Sequence, residues 1–227
     1  MSATDATMNT DATMYGDKDE SYFGVPRREI APLLPDRIDR VLEIGCGAGA
    51  TVKWLRERHE LRYAVGIEMA PSAARRAAAN VDLVLSGNVE TMALPEDNFD
   101  LILALDVLEH LVDPWQVVKR LHGILSPGGV IIASIPNIGH YSVSFPLVAQ
   151  GQWNYRVDGI LDRTHLRFFT RQSTLALLSC SGLTVDRLER TRYSQFPWSR
   201  TWRTRIFDCF LPRHLTNFQF LIRARFT

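Results

Sequence analysis

The chain has 227 residues, 46% of them apolar, which is enough to bury one good core and points to a single main domain. A formal net charge of +1 argues against nucleic acid as a partner on bulk electrostatics. Cys46, Cys180 and Cys209 are scattered and odd in number, which excludes a disulfide framework or a cysteine zinc site and makes a reducing cytoplasm the expected location.

In chain order, residues 1–20 are a near-repeat of Thr, Ala, Asp and Met, too polar to pack, and read as a disordered tail with no apolar signal segment. No apolar run is long enough to cross a membrane. Tyr22 to Leu34 carries two aromatic residues, Arg27 and Arg28, and reads either as a surface helix or as a segment folded over the site. From residue 40, short apolar runs at 40–44, 62–67, 82–86, 99–105 and 129–135 alternate with helical patterns. One helix runs from Thr51 to His59, and a second opens at Pro71 and ends near Asn80. A third is capped by Asp113, with Pro114 at its first position and a stripe of Val117, Val118, Leu121 and Leu125. A fourth covers 171–180, and Leu183 to Tyr193 and Asn217 to Phe226 read as two closing strands. Runs this short and this apolar are strands buried on both faces, so the expected class is α/β, a doubly wound parallel sheet with helices on both faces. Ligands then bind beyond the C-terminal ends of the strands.

Residues 41–49, VLEIGCGAG, concentrate the functional signal. An apolar strand runs into Gly45, Gly47 and Gly49, whose bare backbone turns sharply and lets a ligand lie against peptide. Gly45, Gly47 and Ala50 also fit the turn of an NAD-dependent oxidoreductase, with Glu68 as the ribose acid. Glu43 separates the two readings: a carboxylate here repels a pyrophosphate but attracts the sulfonium and ammonium of S-adenosylmethionine. No Tyr-x-x-x-Lys proton relay supports the oxidoreductase alternative.

The pattern E-x-G-x-G-x-G at Glu43 to Gly49 resembles the first motif of the class I S-adenosylmethionine-dependent methyltransferases, and further segments follow that family's order. Gly66-Ile67-Glu68 resembles the second strand with its ribose acid, and Gly87-Asn88-Val89 the adenine turn, with Asn88 in place of the usual aspartate. Phe99 to Leu105 with Asp106 to His110 resembles the fourth strand and its following motif, and Leu125 to Gly129 the turn into the fifth strand. The resemblance, over roughly residues 22–226, implies a Rossmann-like seven-stranded, mostly parallel sheet with an antiparallel last strand and S-adenosyl-L-methionine as cofactor. It implies cofactor contacts from Glu43, Gly45, Cys46, Gly47, Gly49, Glu68, Met69, Asn88, Val89, Leu105 and His110, and an arginine of the 22–34 segment at the cofactor's carboxylate. Intact glycines and acids argue against a non-catalytic relative that has lost its cofactor site.

Methyl transfer from a sulfonium is an in-line displacement, so the protein must hold the acceptor and remove a proton where the acceptor is a hydroxyl. His165 is the expected base, because imidazole titrates near neutrality; bracing of its loop is the alternative. Thr164-His165 and the Phe-rich patch after it resemble bacterial methyltransferases of surface-polysaccharide synthesis and, more distantly, ubiquinone-pathway O-methyltransferases. Asp162 either orients His165 or caps a turn, and His140 is an expected acceptor contact. Two such side chains do not make a metal site, and none is expected. The implied activity is methylation of a hydroxyl of a sugar, glycan or other small molecule, with an N-methyltransferase as the alternative. Finally, Trp198, Trp202, Ile206 and Phe210 recur every four residues among Arg200, Arg203 and Arg205. This insertion at 194–216 in the 21–227 domain reads as a helix on the sheet edge, a homodimer contact, or a basic amphipathic face on an anionic membrane.

Overall fold

A computed structural model of the chain describes residues 24–180, 182–191 and 212–226. The expected tail at 1–20, Tyr22, Phe23, Cys209 and the Trp198 to Phe210 stripe lie outside the described residues.

Seven strands form one sheet in the order β3-β2-β1-β4-β5-β7-β6. β1 (Arg40–Ile44), β2 (Tyr63–Glu68), β3 (Leu83–Ser86), β4 (Phe99–Leu105) and β5 (Leu125–Pro136) pair in parallel. β7 (Gln219–Phe226) inserts antiparallel between β5 and β6 (Leu183–Thr191), so the last strand is the reversed one, as expected. β5 begins earlier than the sequence pattern suggests. Leu125, expected on a helix stripe, instead opens this strand opposite Phe99, and a register shift between Phe99 and Leu101 absorbs Pro127-Gly128-Gly129.

The sheet is apolar on both faces because alternate residues of its central strands feed two different cores. Ile102 and Ala104 pack with Val117, Val118 and Leu121 of α3 (Pro114–His122) and Leu177 and Leu178 of α5 (Arg171–Ser179). Leu101 and Leu103 pack with Val52, Trp54 and Leu55 of α1 (Ala50–Arg56), and with Ile30 and Leu33 of a 3-10 turn, Arg28–Leu33. Each buried Val, Leu and Ile among these stabilises the fold by about 1.5–3 kcal/mol relative to exposure. The caps follow the sequence. The Asp113 carboxylate accepts the Gln116 amide at 3.0 Å, Pro71 opens α2 (Pro71–Ala77), and Thr170 and Ser173 close a capping box on α5.

One element was not legible in the sequence. α4 (Tyr141–Gln150) has no helical stripe, since Val143 is its one buried residue. The 24–34 segment, read as helix or flap, is anchored by Ile30 and Leu33 and by Arg223 of β7, which donates to the Leu33 carbonyl at 3.1 Å. Arg223 also forks onto Asp186 at 2.7 and 2.9 Å, and holds that carboxyl below its ordinary range.

Candidate active site

The turn after β1 closes on β2: the Gly45 and Cys46 amides both donate to the Ile67 carbonyl, at 2.8 and 3.1 Å. Gly45, Gly47 and Gly49 take φ of +65°, +55° and +73°, left-handed values that disfavour side chains. A Cβ on Gly45 would stand 2.4 Å from Val107 Cγ2. The Cys46 side chain turns inward against Gly66, so that this residue offers a ligand only its backbone; burial pushes its thiol well above the ordinary range.

Two carboxylates flank the turn in different states. Glu68 Oε2 accepts the Gly47 amide and Oε1 the Ala70 amide, both at 2.8 Å, which fixes the group while leaving lone pairs for ligand hydroxyls. Glu43 is 3% exposed, and its Oε2 has no hydrogen-bond partner among the described residues. Burial pushes its pKa up to about 8, against the pull of a hydrogen bond from Thr51 and the charge of Arg27. A buried carboxyl in this condition is matched by a cation.

Arg27 spans the site. Its amide donates to Thr51 Oγ1 at 3.3 Å, and its guanidinium reaches Asp106 Oδ2 at 2.6 Å, Ser134 Oγ at 3.3 Å and Glu29. Asp106, directly after β4, has φ +56°, a strained setting for a residue with a side chain. Its amide donates to Ser134 Oγ at 2.9 Å, and its carboxylate takes the Ser134 hydroxyl at 2.8 Å and the Gln219 amide. Asp106, Ser134 and Gln219 come from the ends of three strands as single polar residues, and no spacing in the sequence announces them. Met69 and Leu105 stand at the ends of β2 and β4, Val89 packs into the core, and Asn88 Oδ1 caps its own turn through the Glu90 amide at 2.8 Å.

Beyond β4, the turn Leu108–His110 and residues 159–168 are joined by backbone. The Leu166 and Arg167 amides both donate to the Glu109 carbonyl at 2.9 Å. His110 Nδ1 lies 3.1 Å from the Thr164 carbonyl and His165 Nδ1 3.0 Å from the Ile160 carbonyl. A carbonyl only accepts, so each Nδ1 carries a hydrogen and the basic lone pair of a neutral ring falls on Nε2. The two rings meet edge to face at 4.7 Å, which groups His110 with His165, although it was expected at the cofactor. Glu109 is buried beside them, and one donor atom from each of the three lies within 4.8 Å of the others. Among the described residues this is the one group spaced to hold a metal ion, and sequence reading had considered only Asp162 with His165.

Asp162 Oδ1 takes the Thr164 amide at 2.8 Å and the Thr164 hydroxyl at 2.7 Å, folding the turn that presents His165. His140 caps α4: its Nδ1 accepts from the Ser142 amide at 3.3 Å and lies 2.8 Å from the Ser142 hydroxyl. Burial pushes its pKa down to about 4, so the ring is neutral at pH 7.

Comparison with known proteins agrees with this fold. A family model described as a methyltransferase domain matches residues 42–133. The ubiquinone biosynthesis O-methyltransferase of Azorhizobium caulinodans is 32% identical over 51% of this chain; the match covers 46% of that relative, so the chain spans about half its length. The enzyme of the same name from Azotobacter vinelandii is 29% identical over 75% of this chain and 82% of its own. Among solved structures, an S-adenosylmethionine-dependent methyltransferase from Mesorhizobium loti superposes with a TM-score of 0.59 at 21% identity, over 87% of this chain and 95% of its own. The site fits S-adenosylmethionine as cofactor: an orphaned buried carboxyl oxygen on Glu43 awaits a cation, and bare peptide lies where a Cβ would intrude.

Proposed function

We propose that the chain is a class I S-adenosylmethionine-dependent methyltransferase that methylates a hydroxyl of a small-molecule acceptor, with His165 receiving the hydroxyl proton. The observation that carries this is the Glu109, His110 and His165 cluster beyond β4. When bound, the cofactor supplies an electrophilic methyl group on a positive sulfur.

The chain's own residues do the rest. Glu43 and Thr51 receive the cationic end of the cofactor, Glu68 its ribose hydroxyls, and Arg27, steadied by Asp106, its carboxylate. His165 accepts the acceptor's proton at Nε2, and the nearby buried Glu109 stabilises the imidazolium that forms.

Magnitudes favour a phenolic acceptor over a sugar. Imidazole, with an ordinary pKa of about 6.5, lies about 3.5 units below a phenol near 10. An aliphatic hydroxyl, close to water at about 15.7, is roughly 9 units away. The name shared by the Azorhizobium and Azotobacter relatives supports the same choice. A sugar hydroxyl is the second reading, carried by the Thr164-His165 resemblance. Incubating the protein with S-adenosylmethionine and either catechol-type phenols or nucleotide sugars tests this. Release of S-adenosylhomocysteine with a phenol that gains one methyl group is expected. Methylation of nucleotide sugars alone would reverse the acceptor assignment.

A further inference from the structure

Among the described residues, the exposed large apolar side chains are concentrated in one stretch of sequence. Ten large apolar side chains stand exposed among the described residues, and six of them fall between positions 145 and 166: Phe145, Leu147, Val148, Tyr155, Val157 and Leu166. The first three lie on α4, where Phe145 is 71% and Val148 87% exposed. This helix contains no charged residue, and Val143 alone anchors it. Scattered exposed apolar residues need no explanation, but a contiguous run on a charge-free helix marks a surface that meets something apolar.

The charges beside this run are of one sign. Between 151 and 173 the exposed charged residues are Arg156, Arg163, Arg167 and Arg171 against a single acid, Asp158. Arg167 ties the patch to the acceptor side: it donates to the Val112 carbonyl at 3.0 Å and lies 5.8 Å from the centre of the Trp115 ring, and Val112 and Trp115 are themselves exposed. α4 packs through Val143 on Ile160 and Leu161, in the segment that also carries His165, so the apolar face and its arginines adjoin the Glu109 to His165 cluster.

We propose that α4 and residues 151–171 dock on a lipid surface bearing anionic headgroups, with Phe145 and Val148 entering the interface and the arginines meeting phosphate. A protein partner would supply acids to match four arginines and its own apolar groove; a bilayer offers both chemistries at once without further design. This surface differs from the Trp198 to Phe210 stripe, and vesicle binding does not depend on the methyl-transfer reading. If both hold, the acceptor approaches from the membrane side, with its hydroxyl toward His165 and an apolar portion left in lipid.

The test is co-sedimentation of the full chain with vesicles of phosphatidylcholine alone or mixed with phosphatidylglycerol. Anionic vesicles should bind at about tenfold lower lipid than neutral ones, and added salt should erode the difference. Phe145→Glu with Val148→Glu should weaken binding tenfold or more, while melting temperature and S-adenosylhomocysteine affinity stay at wild-type values. Arg156→Glu with Arg171→Glu should reduce the preference for anionic vesicles and leave the fold intact. Equal binding by the Phe145/Val148 variant would overturn the assignment, as would no vesicle binding by the wild type. So would self-association in sedimentation velocity that this variant abolishes, which would give the face to a second copy.

Discussion

Raising the pH from about 6 to about 7.5 is expected to tighten S-adenosylhomocysteine binding roughly thirtyfold, through one carboxyl group. In the empty site Glu43 has its pKa pushed up to about 8, so it is mostly protonated at neutral pH. A ligand ammonium beside it favours the ionised form, so binding expels the proton and affinity rises with pH. The slope is about tenfold, or 1.4 kcal/mol, per pH unit below the pKa of the empty site. Near pH 8 the gain stops, because Glu43 is then already ionised in the free protein and binding has no proton left to expel. Isothermal titration calorimetry in two buffers of different ionisation enthalpy counts the protons, and about one per ligand should be released near pH 6.5. Glu43→Gln should release none and bind with an affinity flat over the same range. The reverse sign applies to folding without ligand. The raised pKa means the native state holds the proton more tightly than the unfolded chain, so Glu43 withdraws stability as pH climbs from about 4.5 to about 8. A wild-type affinity independent of pH, or equal proton release by Glu43→Gln, would refute the reasoning.

His165→Ala should lower kcat by about 10²-fold or more with S-adenosylhomocysteine affinity unchanged; wild-type turnover would remove it from the base role. Dialysis against EDTA should leave turnover unaltered. A loss restored by a divalent cation would instead make Glu109, His110 and His165 metal ligands that acidify the hydroxyl. Gly45→Ala should destabilise the protein by about 2–3 kcal/mol, read from the urea midpoint, from its left-handed φ and the approach to Val107. A shift under about 0.5 kcal/mol would mean that the turn relaxes freely.

What was legible in the sequence is what a local pattern encodes. The glycine turn, the parallel strands and the cap at Asp113 depend on residues within a few positions of one another. So do Glu43 and Glu68, each at the end of its own strand. Residues that meet only across the sheet left no such trace. Arg27 and Asp106 are 79 positions apart and Ser134 lies on a third strand, so their network exists only once β4 and β5 are paired. The pairing of His110 with His165 was hidden for the same reason, since nothing near either histidine encodes the other. α4 escaped notice because it buries almost nothing, and a helix without a buried stripe has no periodicity to read.

The interior position of β7 also bears on how the chain is made. Among the described residues β6 pairs with the sheet only through β7, which is translated after it. Until residues 219–226 leave the ribosome, β5 and β6 each present an open edge, and Phe220, Leu221 and Ile222 are missing from the two cores they later fill. Such edges recruit foreign strands, so the nascent chain is most prone to aggregate in the interval before β7 emerges. Chaperone dependence should rise over the same interval.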